Sequence, residues 1–204
     1  GSDDLAAWRD SLQQALGHLH SLGFPTPTVV GFRLGAALAA AGGGHGPLVL
    51  WAPPESGRAV SRELRAQAAS TPGGGRDGLL NVVGNPLRSV TVRALRSWDP
   101  YAGLGEGDVV LVVADPVDPQ ADAVEGRARA QGASVESLRR PGTEQVLGRT
   151  AETAQVPARL VGEIRQWVVA NSARRGGVDL PPVDTGPVRL IDYENLDAND
   201  WWVT

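Results

Sequence analysis

The chain has no cysteine and no lysine. Without thiols it can form no disulfide scaffold, thiolate metal site, iron–sulfur cluster or cysteine nucleophile. Without lysine it has no Schiff-base amine, no anchor for pyridoxal phosphate and no P-loop lysine. All 19 basic side chains are therefore arginines. Aromatic residues are scarce at 5%, and histidines occur only at positions 18, 20 and 45. His18 and His20 fall on opposite faces of one helical pattern and cannot share an ion, so no metal site is expected. The Gly-rich stretches 42–46 and 73–75 lack the spacing of a dinucleotide fingerprint, so no cofactor is expected either. No apolar run approaches the roughly 18 residues of a membrane span, and no basic excess favours nucleic acid, the net charge being −4. Gly1-Ser2, without an initiator methionine, reads as the remnant of a cleaved expression tag. A cytoplasmic protein is expected.

What is present is a chain of 204 residues, 42% hydrophobic and 21% charged, enough for one main domain. Leu5, Trp8, Leu12, Ala15, Leu16 and Leu19 recur at steps of three and four and predict an amphipathic helix over 3–20. Thr28–Gly31 reads as a short buried strand that turns sharply into a small-residue helix over 34–41. Pro47–Ala52 is a second strand, followed by a polar helix over 56–69 with Val60 and Leu64 as its apolar stripe. After a break at 70–78, the patterning predicts a strand over 80–83 and a helix over 90–98. Val109–Ala114 is the clearest strand, a Val/Leu run of the kind found in sheets covered on both faces. A helix over 119–131, a strand over 135–138 and a helix over 157–170 complete the pattern. Strands alternating with helices give an α/β fold with a mostly parallel sheet and helices on both faces. Trp8, Trp51, Trp98 and Trp167 fall on the buried stripes of this pattern and are expected in the core, and Trp51 is also placed to line a pocket at its strand end. Residues 1–172 form this domain, 173–187 a flexible linker and 188–204 an acidic, aromatic tail. That tail holds Asp192, Glu194, Asp197 and Asp200 with no base after Arg189, so the first 191 residues balance 19 acids against 19 arginines.

Thr28-Val29-Val30-Gly31-Phe32-Arg33-Leu34-Gly35 has the strand–turn–helix context and Gly-x-Xaa-x-Gly spacing of a nucleophile elbow. Here the chain resembles the α/β-hydrolase superfamily, and in particular the exosortase-system-associated hydrolases. The likeness continues through Leu48–Pro53, Gly57-Arg58, Arg62-Glu63-Leu64 and Val83–Leu87. It implies a bacterial protein with a truncated α/β-hydrolase-like domain. It also implies a serine at the middle of the elbow, where this chain has Arg33, and a histidine late in the chain, where Gly142, Thr143 and Glu144 stand. Asp115 or Asp118 matches the acid position. No Ser-His-Asp triad is possible, so no catalytic residue is assigned. The family's strands before the elbow are missing as well, which leaves one flank of Thr28–Gly31 to be covered by a tail strand, a second copy or a partner chain.

A guanidinium at the first turn of a helix opposes the macrodipole unless an anion joins it. Arg33 is therefore expected to face a carboxylate, with Asp115 and Asp118 the first candidates. Arg33, Phe32, Trp51, Asp115 and Asp118 make up the expected ligand-binding set. Tyr193, Trp201 and Trp202, aromatic among acids, make up the expected partner-binding set. The leading expectation is a catalytically inactive domain that binds a protein or a small anionic ligand, with homodimerisation through the sheet edge and tail. The alternatives are a non-serine hydrolase or lyase using Asp115, Asp118 or Glu144 as acid/base groups beside Arg33, and one part of a split hydrolase.

Overall fold

A computed structural model describes residues 4–42, 46–71, 75–76, 78–82, 85–147 and 155–172. The expected linker and tail, with Tyr193, Trp201 and Trp202, lie outside the described residues, as does His45.

Val109–Ala114 (β6) forms the centre of the molecule because its side chains alternate between two apolar surroundings. Val110, Val112 and Ala114 join Leu48 and Leu50 of β2 (Leu48–Trp51) under Ala36, Ala39 and Ala40 of α2 (Leu34–Gly42) and Ala121, Val124 and Ala128 of α5 (Pro119–Ala130). Leu111, Val113 and Val49 point the other way, beneath Leu160 and Ile164 of α7 (Ala158–Ser172). A strand buried on both faces has no polar side, hence the unbroken Val/Leu run. β1 (Val29–Phe32) pairs with β2, β2 with β6, and β6 with β7 (Ser134–Arg139), all parallel, in the order β1-β2-β6-β7. The crossovers through α2 and α5 advance across the sheet on one face. Helix α7 returns across the opposite face and ends at β1, where Thr28 and Ser172 share a hydroxyl hydrogen bond of 2.8 Å.

A further layer lies over α2. Leu5 of α1 (Asp4–Ser21), Val60 of α3 (Gly57–Ala69) and Leu95 of α4 (Ser89–Ser97) form its core, with Trp8, Leu34, Leu64 and Trp98 around them. Ser56 caps α3 by accepting a hydrogen bond from the Ala59 backbone N–H at 3.2 Å. Asp4 accepts hydrogen bonds from Arg88 and Thr91, tying α1 to α4, and the Arg88 bond above all holds its carboxyl below the usual range.

The structure departs from the sequence pattern in three places. The strand expected at 80–83 is β4 (Leu79–Val82). It pairs antiparallel with β5 (Asn85–Arg88) and β3 (Gly75–Arg76) in a separate three-stranded sheet beside α3, instead of joining the main sheet. Pro86 hid β5, since a proline removes a ladder donor and is tolerated only at such an edge. The helical stripe of α1 is buried only at Leu5 and Leu16, and Leu19 is exposed, because α1 meets the body along part of its length. The turn after β7 winds into a short helix, α6 (Thr143–Leu147). Among the described residues no helix is long and apolar enough to cross a membrane.

Candidate ligand pocket at the strand–turn–helix elbow

Between β1 and α2 the chain reverses within a single residue. Arg33 takes a left-handed conformation at φ 54°, donates its backbone N–H to Trp51 C=O at 2.9 Å, and accepts from Ala36 N–H at 3.0 Å. It thus closes the last ladder bond of β1 and opens the first turn of α2. The reversal needs Gly31 behind it, where a Cβ would lie 2.5 Å from Ala36 Cα. Ala52, one residue beyond β2, is also left-handed at φ 46° and donates to Val113 C=O at 2.7 Å. Two adjacent parallel strands therefore end on strained residues at their carboxyl edge, where open α/β sheets bind ligands.

A cavity of about 310 Å³ opens there between the start of α2 and the flank of α3, lined by Phe32, Arg33, Pro54, Glu63, Leu64 and Gln67 among others. Its walls are largely apolar and its charges are one pair. The Arg33 guanidinium donates to Glu63 Oε1, which also accepts from Gln67 Nε2 at 3.3 Å. The pair is partly open to solvent, the side chains being 31% and 42% exposed. The carboxylate facing Arg33 is thus Glu63, not Asp115 or Asp118. The sequence held only a partial signal for it. Val60 turns toward the body, and a residue three positions on lies beside it on the helix, which puts Glu63 at the border of the buried stripe without naming its partner. Tyr101, 1% exposed, donates its hydroxyl to Pro54 C=O and fixes the far wall.

The other expected site residues stand elsewhere along the same strand ends. Trp51 packs edge-on against Phe32, ring centres 5.2 Å apart, and donates its indole N–H to Thr143 Oγ at 3.2 Å. Asp115 accepts the Gly142 N–H at 3.1 Å. Asp118 caps α5, accepting from Gln120 N–H at 2.9 Å. Neither carboxylate nor Trp51 lines the 310 Å³ cavity. Thr143, where the hydrolase pattern would put its base, is buried and occupied by Trp51, while Glu144 in the first turn of α6 is exposed. His18 and His20 lie in the last turn of α1. Among the described residues no group of three or more His, Asp or Glu side chains could hold a metal ion. The elbow thus presents a guanidinium, a cation with no lone pair free to attack, midway between its two glycines. What it can supply is an ion-pair partner beside an apolar recess.

No protein-family model matches the chain, and a comparison with curated proteins finds none that matches. Among solved structures the chain is similar to Est1E from Butyrivibrio proteoclasticus, which has ferulic acid bound. The TM-score is 0.54 at 13% identity, over 83% of this chain and 69% of that one. A left-handed elbow at the end of one strand of a parallel sheet, with helices on both faces, therefore belongs to a domain with the α/β-hydrolase fold.

Proposed function

We propose that this domain is a catalytically inactive α/β-hydrolase-like module that binds a small carboxylate in the elbow pocket. The single observation carrying this reading is Arg33 in the nucleophile position, ion-paired with Glu63 at the mouth of a largely apolar cavity. A ligand carboxylate replaces Glu63 on the guanidinium as a planar two-point pair, while Phe32, Leu64 and Pro54 cover an apolar body. Est1E, the structural neighbour, has ferulic acid bound, an aromatic carboxylate of this shape. Ferulate is therefore the probe. Calorimetry is expected to show saturable binding that Arg33→Gln weakens by about tenfold, the loss of one charge-assisted contact. A fluorophosphonate probe is expected to label no serine in the wild type or in Arg33→Ser, since the base is absent in both. Covalent labelling of one serine in the wild type would make the domain an enzyme and end this reading.

A second reading concerns partners, and β1 favours it. Among the described residues β1 is the outer strand of its sheet, with no strand on one flank, and Val30, on the face that α7 covers, is 54% exposed. Helix α7 delivers the chain to that edge at Ser172. A parallel strand added there would complete a right-handed crossover, because α7 runs back on the face opposite α2 and α5. We assign that role to Val188–Ile191 of the same chain or of a second copy, with Tyr193, Trp201 and Trp202 beyond it. Reach is ample, since the fifteen residues from 173 to 187 span up to about 50 Å. Truncation after Ala173 is expected to lower the melting temperature and, for the swapped form, to halve the mass in solution. An unchanged melting temperature and mass would remove the tail from this edge.

A further inference from the structure

Helix α3 has a second face, turned away from the elbow. Arg58, Arg62 and Arg65 follow one another at steps of four and three and form one stripe. Helix α4 runs against it, held close because Gly57 has no side chain. A Cβ there would lie 2.0 Å from Leu95 C=O, and Ser61 donates its hydroxyl to Val92 C=O at 3.0 Å. This approach brings Arg96 of α4 to the stripe and encloses a groove of about 320 Å³, lined by the four arginines and Ser61.

Folding alone does not account for so many like charges in one concavity. Arg58 sits in the first turn of α3, at the positive end of the helix dipole, and that turn holds no acid. Arg58 and Arg62 repel each other at four residues' separation. The acid within α3, Glu63, is engaged by Arg33 on the other face. Arg62 meets Glu55 at 3.4 Å through side chains 71% and 40% exposed, a weak surface pair. Arg58, Arg65 and Arg96 have no carboxylate partner among the described residues.

We infer that this groove binds a compact multivalent oxyanion, a pyrophosphate or phosphate-ester group with at least two negative charges. Guanidinium forks match phosphate oxygens two at a time, and four of them around one recess satisfy several oxygens at once. The volume suits a small ligand. The chain's net charge of −4 opposes an extended polyanion outside the groove. This inference stands on α3 and α4 alone and does not depend on what the elbow pocket binds.

Calorimetric titration of the full chain with sodium pyrophosphate tests it. One saturable site is expected, weakening several-fold between about 50 and 200 mM salt, as charge-driven binding does. The double variant Arg58→Gln/Arg65→Gln is expected to lose at least about tenfold in affinity, and Arg96→Gln about threefold, the double variant keeping the wild-type melting temperature because its side chains are exposed. Arg159→Gln, on α7, is expected to bind as the wild type does. Absence of saturable binding up to about 10 mM, or equal affinity in wild type and double variant, would overturn the proposal. So would an oligonucleotide of about twenty residues that outcompetes pyrophosphate and depends on the same arginines, since the surface would then be a polymer track.

Discussion

Gly31→Ala is expected to unfold the elbow, lowering stability by about 3 kcal/mol, the upper part of the usual overpacking range. The new Cβ would lie 2.5 Å from Ala36 Cα and Gly35 O and 2.6 Å from Ala36 N. All three are backbone atoms, so no rotamer change relieves the clash and α2 must lift from β1. Lifting it exposes Ala36, Ala39 and Ala40, each at most 1% exposed, whose small size is what lets the helix lie this close. For a chain of this length the loss corresponds to a fall in melting temperature of about 6–12 °C. Gly35→Ala is the control. Although it is the second glycine of the same motif, a Cβ there meets nothing within 4 Å. In a helix the change from glycine stabilises by about 0.5–1 kcal/mol. Thermal melts of the two variants should therefore move in opposite directions, and equal shifts would show that the elbow is not packed as described.

Tyr101→Phe is expected to destabilise the fold by about 2 kcal/mol at pH 7, because it strips the Pro54 carbonyl of its donor inside the protein. The Pro54 wall of the elbow pocket loosens with it, so ferulate binding should weaken in parallel. Alkaline pH supplies the distinguishing readout. Burial pushes the Tyr101 phenol well above its ordinary value near 10; Arg127 opposes the rise and Asp99 adds to it. A phenol that ionises more easily unfolded than folded contributes stability present below about pH 10 and lost as pH rises further. The composition makes this measurable. With no lysine and no cysteine, tyrosine is the only side-chain type whose ordinary value lies between pH 8 and 12, and the chain has two tyrosines. The stability gap between wild type and Tyr101→Phe should therefore be constant from pH 7 to 9 and narrow above about 10. A gap that stays constant to pH 11 would mean the phenol ionises as readily folded as unfolded.

Much of the fold could be read from local patterning. Val109–Ala114 announces a doubly covered strand by lacking any polar residue, and the elbow announces itself by two glycines between a strand and a helix, Gly31 and Gly35, with three residues between them and Arg33 midway. Such signals survive because they depend on neighbours in the chain. The partner of Arg33 was not legible in the same way. Asp115 and Asp118 were the natural candidates from their place after the strongest strand. Asp115 instead holds the Gly142 amide and Asp118 caps α5, roles set by the turn at 142 and by the helix that starts beside it. Glu63 is brought to Arg33 by the angle at which α3 crosses the start of α2, and no local periodicity encodes that angle.

The sequence by itself determined which chemistries are open to this protein. Without thiols or lysine it rules out cysteine and amine nucleophiles, and it leaves arginine as the sole fixed side-chain cation. It also determined the αβ alternation, because two- and three-to-four-residue periods are properties of adjacent residues. Tertiary structure alone decided where those arginines act. Glu63 turns to the elbow while Arg58, Arg62 and Arg65, on the same helix, line a groove against Arg96. It also decided that Leu79–Val82 pairs with Asn85–Arg88 rather than with the main sheet. The reason is common to both. A helix face or a strand edge has several possible partners, and which one it meets depends on how whole layers pack, a choice made by the burial of the entire core.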